Sequence, residues 1–397
     1  MHRLHPVIPG LEILAGDSAP LSGRRWALLA NQAAVTRSLQ PAWEVLAGSG
    51  TLVRLFASEH GLWGVAQDME EVGEEHHDGR VVRSLYGRHE STLRPLGEDL
   101  EDLDAVVVDL PDIGCRYYTF AATLAHVMAA CEESGVEVIL CDRPNPIGGL
   151  ALEGGPVEPR CRSFVSELPV PVRHGLTLGE LALLLQAERH PGLTLSVVPC
   201  VGWRRREWWH ETGLPWVAPS PNMPTPDTAA IYPGACLAEA TNLSEGRGTT
   251  RPFLLLGAPW LAGEALAEGL NALDLPGVRF QGTRFRPEFH KHAGKVCGGV
   301  AWHLTDRGAL RPVAAGVAVL AAAWQQAPDQ CGWRQQPYEF VAGVPAIDLL
   351  TGSSLARAVV EGRTPVTALA ESWEPYEREF AQRRRAFLLY PDADDQA

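Results

Sequence analysis

The chain has 397 residues, 46% hydrophobic and 21% charged, an ordinary globular composition with length for two domains or one large one. Its 48 acidic residues outnumber 34 Lys and Arg, for a formal net charge of -14, which argues against binding nucleic acid or an anionic membrane through general electrostatics. No apolar run is long enough to span a bilayer, and Met1 to Gly10 lacks the apolar core of a signal peptide, so a cytoplasmic protein is expected.

The first predicted strand, Trp26 to Ala30, ends on Asn31 and Gln32. A helix-like stretch, Pro41 to Ala47, separates it from a second apolar run, Leu52 to Phe56, which breaks abruptly into Ser58-Glu59-His60-Gly61. The acidic stretch Asp68 to Arg80 suggests a metal through His76, His77 and Asp78, but adjacent histidines diverge on any regular element, and a solvated mobile loop is expected instead. A third run, Asp104 to Leu110, delivers Asp109 and then Asp112. A helical pattern over Tyr118 to Glu133 leads to a fourth, Val136 to Leu140, which closes on Cys141-Asp142-Arg143-Pro144-Asn145. Strands alternating with helices predict an α/β fold with a Rossmann-like parallel sheet, its polar strand ends gathered on one edge. No G-x-G-x-x-G follows a strand and no phosphate-binding loop is present, so no cofactor is expected. Eight cysteines without paired spacing read as small buried hydrophobes.

Farther on, Pro169 and Pro171 mark an extended segment, and Thr177 with Glu180 forms a capping box that opens an amphipathic helix, with Arg173 and His174 facing the cleft. Another strand, Leu193 to Pro199, precedes tryptophans between 203 and 216 that suit either sugar stacking or a core. The densest chemistry lies in Pro219 to Phe253. Five prolines between 219 and 233 are expected to hold an extended backbone and forbid a helix. Glu239, Thr241, Asn242, Ser244, Glu245, Arg247, Thr249, Thr250 and Arg251 then make a rigid polar loop suited to a polar ligand. After Pro259, a helix over Ala262 to Leu273, strands over Val278 to Phe285 and Gly298 to Leu304, and a helix over Val313 to Ala323 predict a smaller α/β domain in which His303 and Asp306 are structural. The expected division is residues 1–225, a Rossmann-like catalytic domain, and 226–397, a second domain that supplies the polar loop and closes the cleft.

Six blocks, SEHGLWGVAQ, DLPDIGCRYYTF, CDRPNPIGG, PVRHGLTLGELA, PSPNMPTPDTA and EATNLSEGRGTTRPF, stand in the order and spacing of the NamZ-type exo-β-N-acetylmuramidases, a family this chain resembles over its whole length. The resemblance implies removal of terminal N-acetylmuramic acid from the non-reducing end of peptidoglycan fragments. A small muropeptide or disaccharide would be the substrate, with no nucleic-acid or membrane partner, and in a cytoplasmic enzyme it would come from recycled wall. Glycoside hydrolysis uses two carboxyl groups. On the resemblance Glu59 is expected as general acid, with Glu239 first and Asp112 second as its partner. His60, Asn31, Arg116, Tyr118, Arg143, Asn145, His174, Asn222, Asn242, Glu245, Arg247 and Arg251 are expected around the sugar. The lactyl carboxylate calls for an arginine fork, and Arg247, set between two glycines, leads Arg143 and Arg251 for that role. Two rival readings are a metal-dependent hydrolase or phosphatase with Glu59, His60, Asp109, Asp112 and Asp142 as ligands, and a non-catalytic sugar-binding protein.

Overall fold

A computed structural model describes residues 6–73, 75–87 and 89–391; the first five residues of the stretch read for a signal peptide lie outside it. The expected parallel sheet is present. Its strands are β1 (Arg25–Ala30), β2 (Thr51–Ala57), β3 (Glu75–His77), β4 (Arg80–Ser84), β5 (Ala105–Asp109), β6 (Glu137–Cys141) and β7 (Leu195–Val198). They lie in the order β3-β4-β2-β1-β5-β6-β7, and every pairing is parallel except β3 with β4. From β1 the chain winds first toward β2 and β4, then returns to the other side of β1 as β5, so the switch point of the sheet lies between β1 and β5.

Both faces of this sheet are covered, which is why its strands read as unbroken apolar runs. Along β1, Ala27 and Leu29 join the core beneath the helix Phe120–Ser134, while Trp26, Leu28 and Ala30 pack on the other face with Leu11, Trp43 and Leu46. The helix Leu178–Arg189 starts at the predicted capping box, Thr177 accepting from the Glu180 amide and Glu180 from the Thr177 amide.

A second, antiparallel sheet is formed by β8 (Leu255–Ala258), β9 (Val278–Phe285) and β10 (Cys297–Leu304) in the order β8-β10-β9, with the helices Gly263–Ala272 and Pro312–Gln326 in the places expected. Two sequence expectations give way. Asp68 to Arg80 is a loop only in part: Asp68 to Gly73 lies outside the strands, whereas Glu75 to Arg80 enters the hairpin β3-β4 that edges the large sheet, where His77 packs against Trp43 and Trp63 at ring separations of 5.3 and 5.6 Å. Nor do the prolines forbid a helix. Pro226 occupies the first helical turn behind the Thr225 cap, where a missing N–H costs nothing, and Pro233 falls near the end of the helix Pro226–Ala235. A 3-10 turn, Cys236–Ala240, follows at once and carries Glu239. Seven cysteines are buried and the eighth half-buried, all free thiols. Among the described residues no helix is long and apolar enough to cross a membrane.

Candidate active site

A narrow pocket opens at the carboxyl-terminal edge of the large sheet, lined by Glu59 and His60 beyond β2, Tyr117 to Thr119 beyond β5, Ser220, Asn222, Glu239, Arg247, Tyr338 and Glu339. Beyond the buried end of β2 the chain turns sharply, with His60 and Gly61 in the left-handed region at φ 75° and 79°. The His60 Nδ1 donates to the Ala66 carbonyl at 2.8 Å, fixing the turn. Glu59 is thereby held with only 6% of its surface exposed. Its Oε1 accepts from the Met69 amide at 3.2 Å and its Oε2 from the Thr119 hydroxyl at 2.7 Å.

The opposite wall comes from the second part of the chain. Arg247 follows Gly246 and precedes Gly248, both at left-handed φ near 80°, and the tight turn they permit aims its guanidinium inward. It does not arrive free: Glu239 lies at 2.8 Å, Glu245 at 2.9 Å and Asp68 at 3.3 Å, with the Phe253 ring 4.8 Å from the guanidinium carbon. Burial opposes its charge, but the three carboxylates hold its pKa above the ordinary value. Glu245 is also buried, which alone would raise its pKa, yet Lys291, His290 and Arg247 hold it well below the carboxylate range. Glu239 accepts from the Tyr338 hydroxyl at 2.6 Å, and Asn222 donates to Gln67 at 2.9 Å.

Tyr338 belongs to a strap that closes the pocket. Its backbone exchanges hydrogen bonds with Val341, so Glu339 and Phe340 form the corner of a two-residue hairpin turn, at φ 44° and 67°. Such turns favour Asn-Gly, and side chains held there signal strain of the kind found at functional sites. Glu339 is 5% exposed and accepts from the Tyr86 hydroxyl at 3.0 Å. Burial first, then the charge of Glu59, push its carboxyl well above the usual range, against the opposing pull of the Tyr86 hydrogen bond.

The structure thus brings together Glu59, His60, Tyr118, Asn222, Glu239 and Arg247, with Glu245 directly behind. The remaining expected site residues are placed elsewhere. Arg143 is committed to Asp109 at 2.5 and 2.7 Å and to the Val35 carbonyl. Arg116 is fully buried and donates to the carbonyls of Gly155, Val170 and Leu350. Asn31, Asn145 and Asn242 bridge backbone groups of Pro219, Leu176 and Gln330. His174 is fully buried, and burial together with Arg384, Arg116 and Arg205 lowers its pKa to about 3. Arg251 is half-buried and not part of the pocket lining. Asp112 faces a separate pocket beside Trp209 and Trp216, where burial lifts its pKa to about 7. The rival ligand set is likewise dispersed: Asp109 is held by Arg143 and Asp142 by Thr177, Tyr390 and the Gly179 amide. Among the described residues no three His, Cys, Asp or Glu side chains are grouped to hold a metal ion.

Sequence reasoning missed Asp68, Thr119, Tyr338 and Glu339. Asp68 sat in the stretch read as a loop, and Glu339 followed no apolar run that would announce a strand end. A signal was nonetheless present for Thr119, inside the block that also gave Arg116 and Tyr118.

Comparison with known proteins agrees along the whole chain. Two family models, described as "Exo-beta-N-acetylmuramidase NamZ, N-terminal" and "C-terminal", match residues 26–227 and 230–390. A relative named "Peptidoglycan beta-N-acetylmuramidase NamZ", from Bacillus subtilis (strain 168), is 39% identical over 386 residues, covering 96% of this chain and 91% of that protein. Two crystal structures of DUF1343 family proteins from Bacteroides fragilis superpose with TM-scores of 0.88 and 0.77 at 32% and 26% identity, covering 97% and 98% of this chain and 99% and 100% of theirs. The chain belongs to the NamZ family of exo-β-N-acetylmuramidases.

Proposed function

We propose that this chain is a glycosidase that releases terminal N-acetylmuramic acid from the non-reducing end of peptidoglycan-derived fragments. The observation that carries this reading is a pair of buried carboxyl groups, Glu59 and Glu339, in one pocket at the sheet edge. Hydrolysis of a glycoside needs one carboxyl that gives a proton to the leaving oxygen and one that acts as carboxylate on the other side of the sugar. Two neighbouring carboxyls in different surroundings divide those roles, because burial and a neighbouring negative charge favour the protonated form of one of them, here Glu339. Glu339 is therefore assigned as the proton donor. Glu59, whose oxygens both accept hydrogen bonds, is assigned as the base or nucleophile. Glu239, tied to Arg247 and Tyr338, positions that wall of the pocket, and His60, Tyr118 and Asn222 are left to meet sugar hydroxyls.

We read the chain as two units dividing near residues 225 and 226. The first carries Glu59, and the second carries Glu239, Arg247 and Glu339, so the cleft closes between them. Free and largely buried thiols fit a reducing compartment and support a cytoplasmic enzyme acting on recycled wall fragments. The test is turnover of a chromogenic N-acetylmuramic acid glycoside before and after exhaustive EDTA treatment. Equal release in both is expected. Activity that vanishes with EDTA and returns with Mg²⁺ or Mn²⁺ would establish the metal-dependent reading, and binding without release the sugar-binding one.

A further inference from the structure

Arg247, the arginine expected to meet the lactyl carboxylate, is already surrounded by three acids. Lys291, behind it, is held by Glu245 and two backbone carbonyls. The pocket lining itself is acidic, with Glu59, Asp68, Glu239 and Glu339. An anionic sugar entering it needs a cation whose charge is not already cancelled.

Arg334 answers that description. It lies on the same strap as Glu339: its amide donates to the Ala240 carbonyl, one residue beyond Glu239, at 2.8 Å. Its guanidinium stacks over the Tyr338 ring at 5.5 Å and reaches the Met69 sulfur at 3.6 Å. Tyr338 lines the pocket, and the Met69 amide is the donor to Glu59. Arg334 is not itself part of that lining but adjoins it, through the Tyr338 ring on one side and the Met69 side chain on the other. Unlike Arg247 and Lys291, it has no carboxylate within ion-pair distance among the described residues, and its Nε, though buried, has no hydrogen-bond partner. A half-buried guanidinium set on an aromatic face and a thioether, with unspent donors, is preorganised for a carboxylate.

We infer that Arg334 binds the lactyl carboxylate of the terminal N-acetylmuramic acid and so selects that sugar over N-acetylglucosamine. This rests on the glycosidase reading above. The experiment compares kcat/KM on matched aryl glycosides of the two sugars, and on the methyl ester of the muramyl substrate, for wild type, Arg334→Lys, Arg334→Ala and Arg251→Ala. Charge-assisted hydrogen bonds set the scale: Arg334→Ala should lose roughly ten- to hundredfold on the muramyl glycoside with little change on the glucosaminyl one. Arg334→Lys should recover part of the loss. In wild type, which needs no variant to fold, the ester should lose a similar factor, and in Arg334→Ala the ester and the acid should be hydrolysed alike. Equal losses on both sugars would mean that Arg334 only supports Tyr338, and a lost preference in Arg251→Ala would move the site there; either result overturns the inference. A wild type that hydrolyses no muramyl glycoside overturns the glycosidase reading itself, whereas an active wild type whose preference survives Arg334→Ala overturns only this assignment.

Discussion

At the scale of single residues, two glutamates of the same pocket differ in what surrounds them. Glu59 is met by an amide and a hydroxyl, and Glu339 by a tyrosine and the charge of Glu59. A proton donor matters most when the leaving oxygen is a poor one. Glu339→Gln is therefore expected to slow cleavage of a sugar–sugar bond by about two orders of magnitude or more, while an aryl group activated for departure is cleaved with much less loss. Glu59→Gln is expected to impair both substrates alike. Rates for the two leaving groups on each purified variant check this, and the reverse pattern would return the proton to Glu59, where sequence reasoning put it. The same scale explains why the arginine candidates dispersed. A residue's type is legible in a sequence, but whether its charge is already cancelled is not. Arg143 and Arg116 serve Asp109 and three carbonyls, partners distant in the chain.

At the scale of elements, the pocket depends on a close crossing of two helices. Pro226–Ala235, which leads into the turn bearing Glu239, meets Pro312–Gln326 where Gly234 faces Gly316. A Cβ on Gly316 would stand 2.3 Å from the Gly234 carbonyl oxygen, and one on Gly234 1.9 Å from the Pro312 oxygen. Alanine is the better helix former by about 1 kcal/mol, but a clash with backbone cannot be relieved by a rotamer. Gly316→Ala is therefore expected to destabilise by about 1–3 kcal/mol, measured by denaturant unfolding, and to lower activity because Glu239 and Arg247 move with the helix. Unchanged stability would mean that the crossing tolerates separation. This crossing was invisible in the sequence. The parallel strands were legible because burial on both faces leaves an unbroken apolar run, and the helix Leu178–Arg189 because Thr177 and Glu180 announce its start. The helix Pro226–Ala235 was hidden by prolines that its ends accommodate, and the strap by a Glu-Phe turn that lacks the Gly or Asn such geometry favours.

At the scale of the whole molecule, a chain with net charge -14 keeps several of its arginines inside as scaffolding. Arg116, Arg173, Arg205 and Arg384 are buried and donate to backbone carbonyls, and three of them surround His174. Its Nδ1 accepts from the Leu176 amide at 3.2 Å, and burial with the neighbouring arginine charges lowers its pKa from 6.5 to about 3. The unfolded chain takes up a proton at this histidine below about pH 6.5 that the folded chain refuses until about pH 3. Stability must then fall as pH drops through that window, by at most about 1.4 kcal/mol per pH unit for one proton. Asp112 and Glu153, each raised to about 7 by burial, bend the curve the other way: their contribution is full below their unfolded values and fades as pH rises toward 7. The wild-type curve alone therefore mixes opposing slopes, and the informative quantity is a difference. Asn at position 174 keeps an acceptor where Nδ1 stands but does not titrate. The stability gap between wild type and His174→Asn, from urea unfolding at pH 7, 6, 5 and 4, is expected to shift in favour of the variant as pH falls, since the carboxyl contributions cancel between the two. A gap that stays constant with pH would show that His174 takes up its proton in the folded state as readily as in the unfolded one, and that the arginines around it are screened from it.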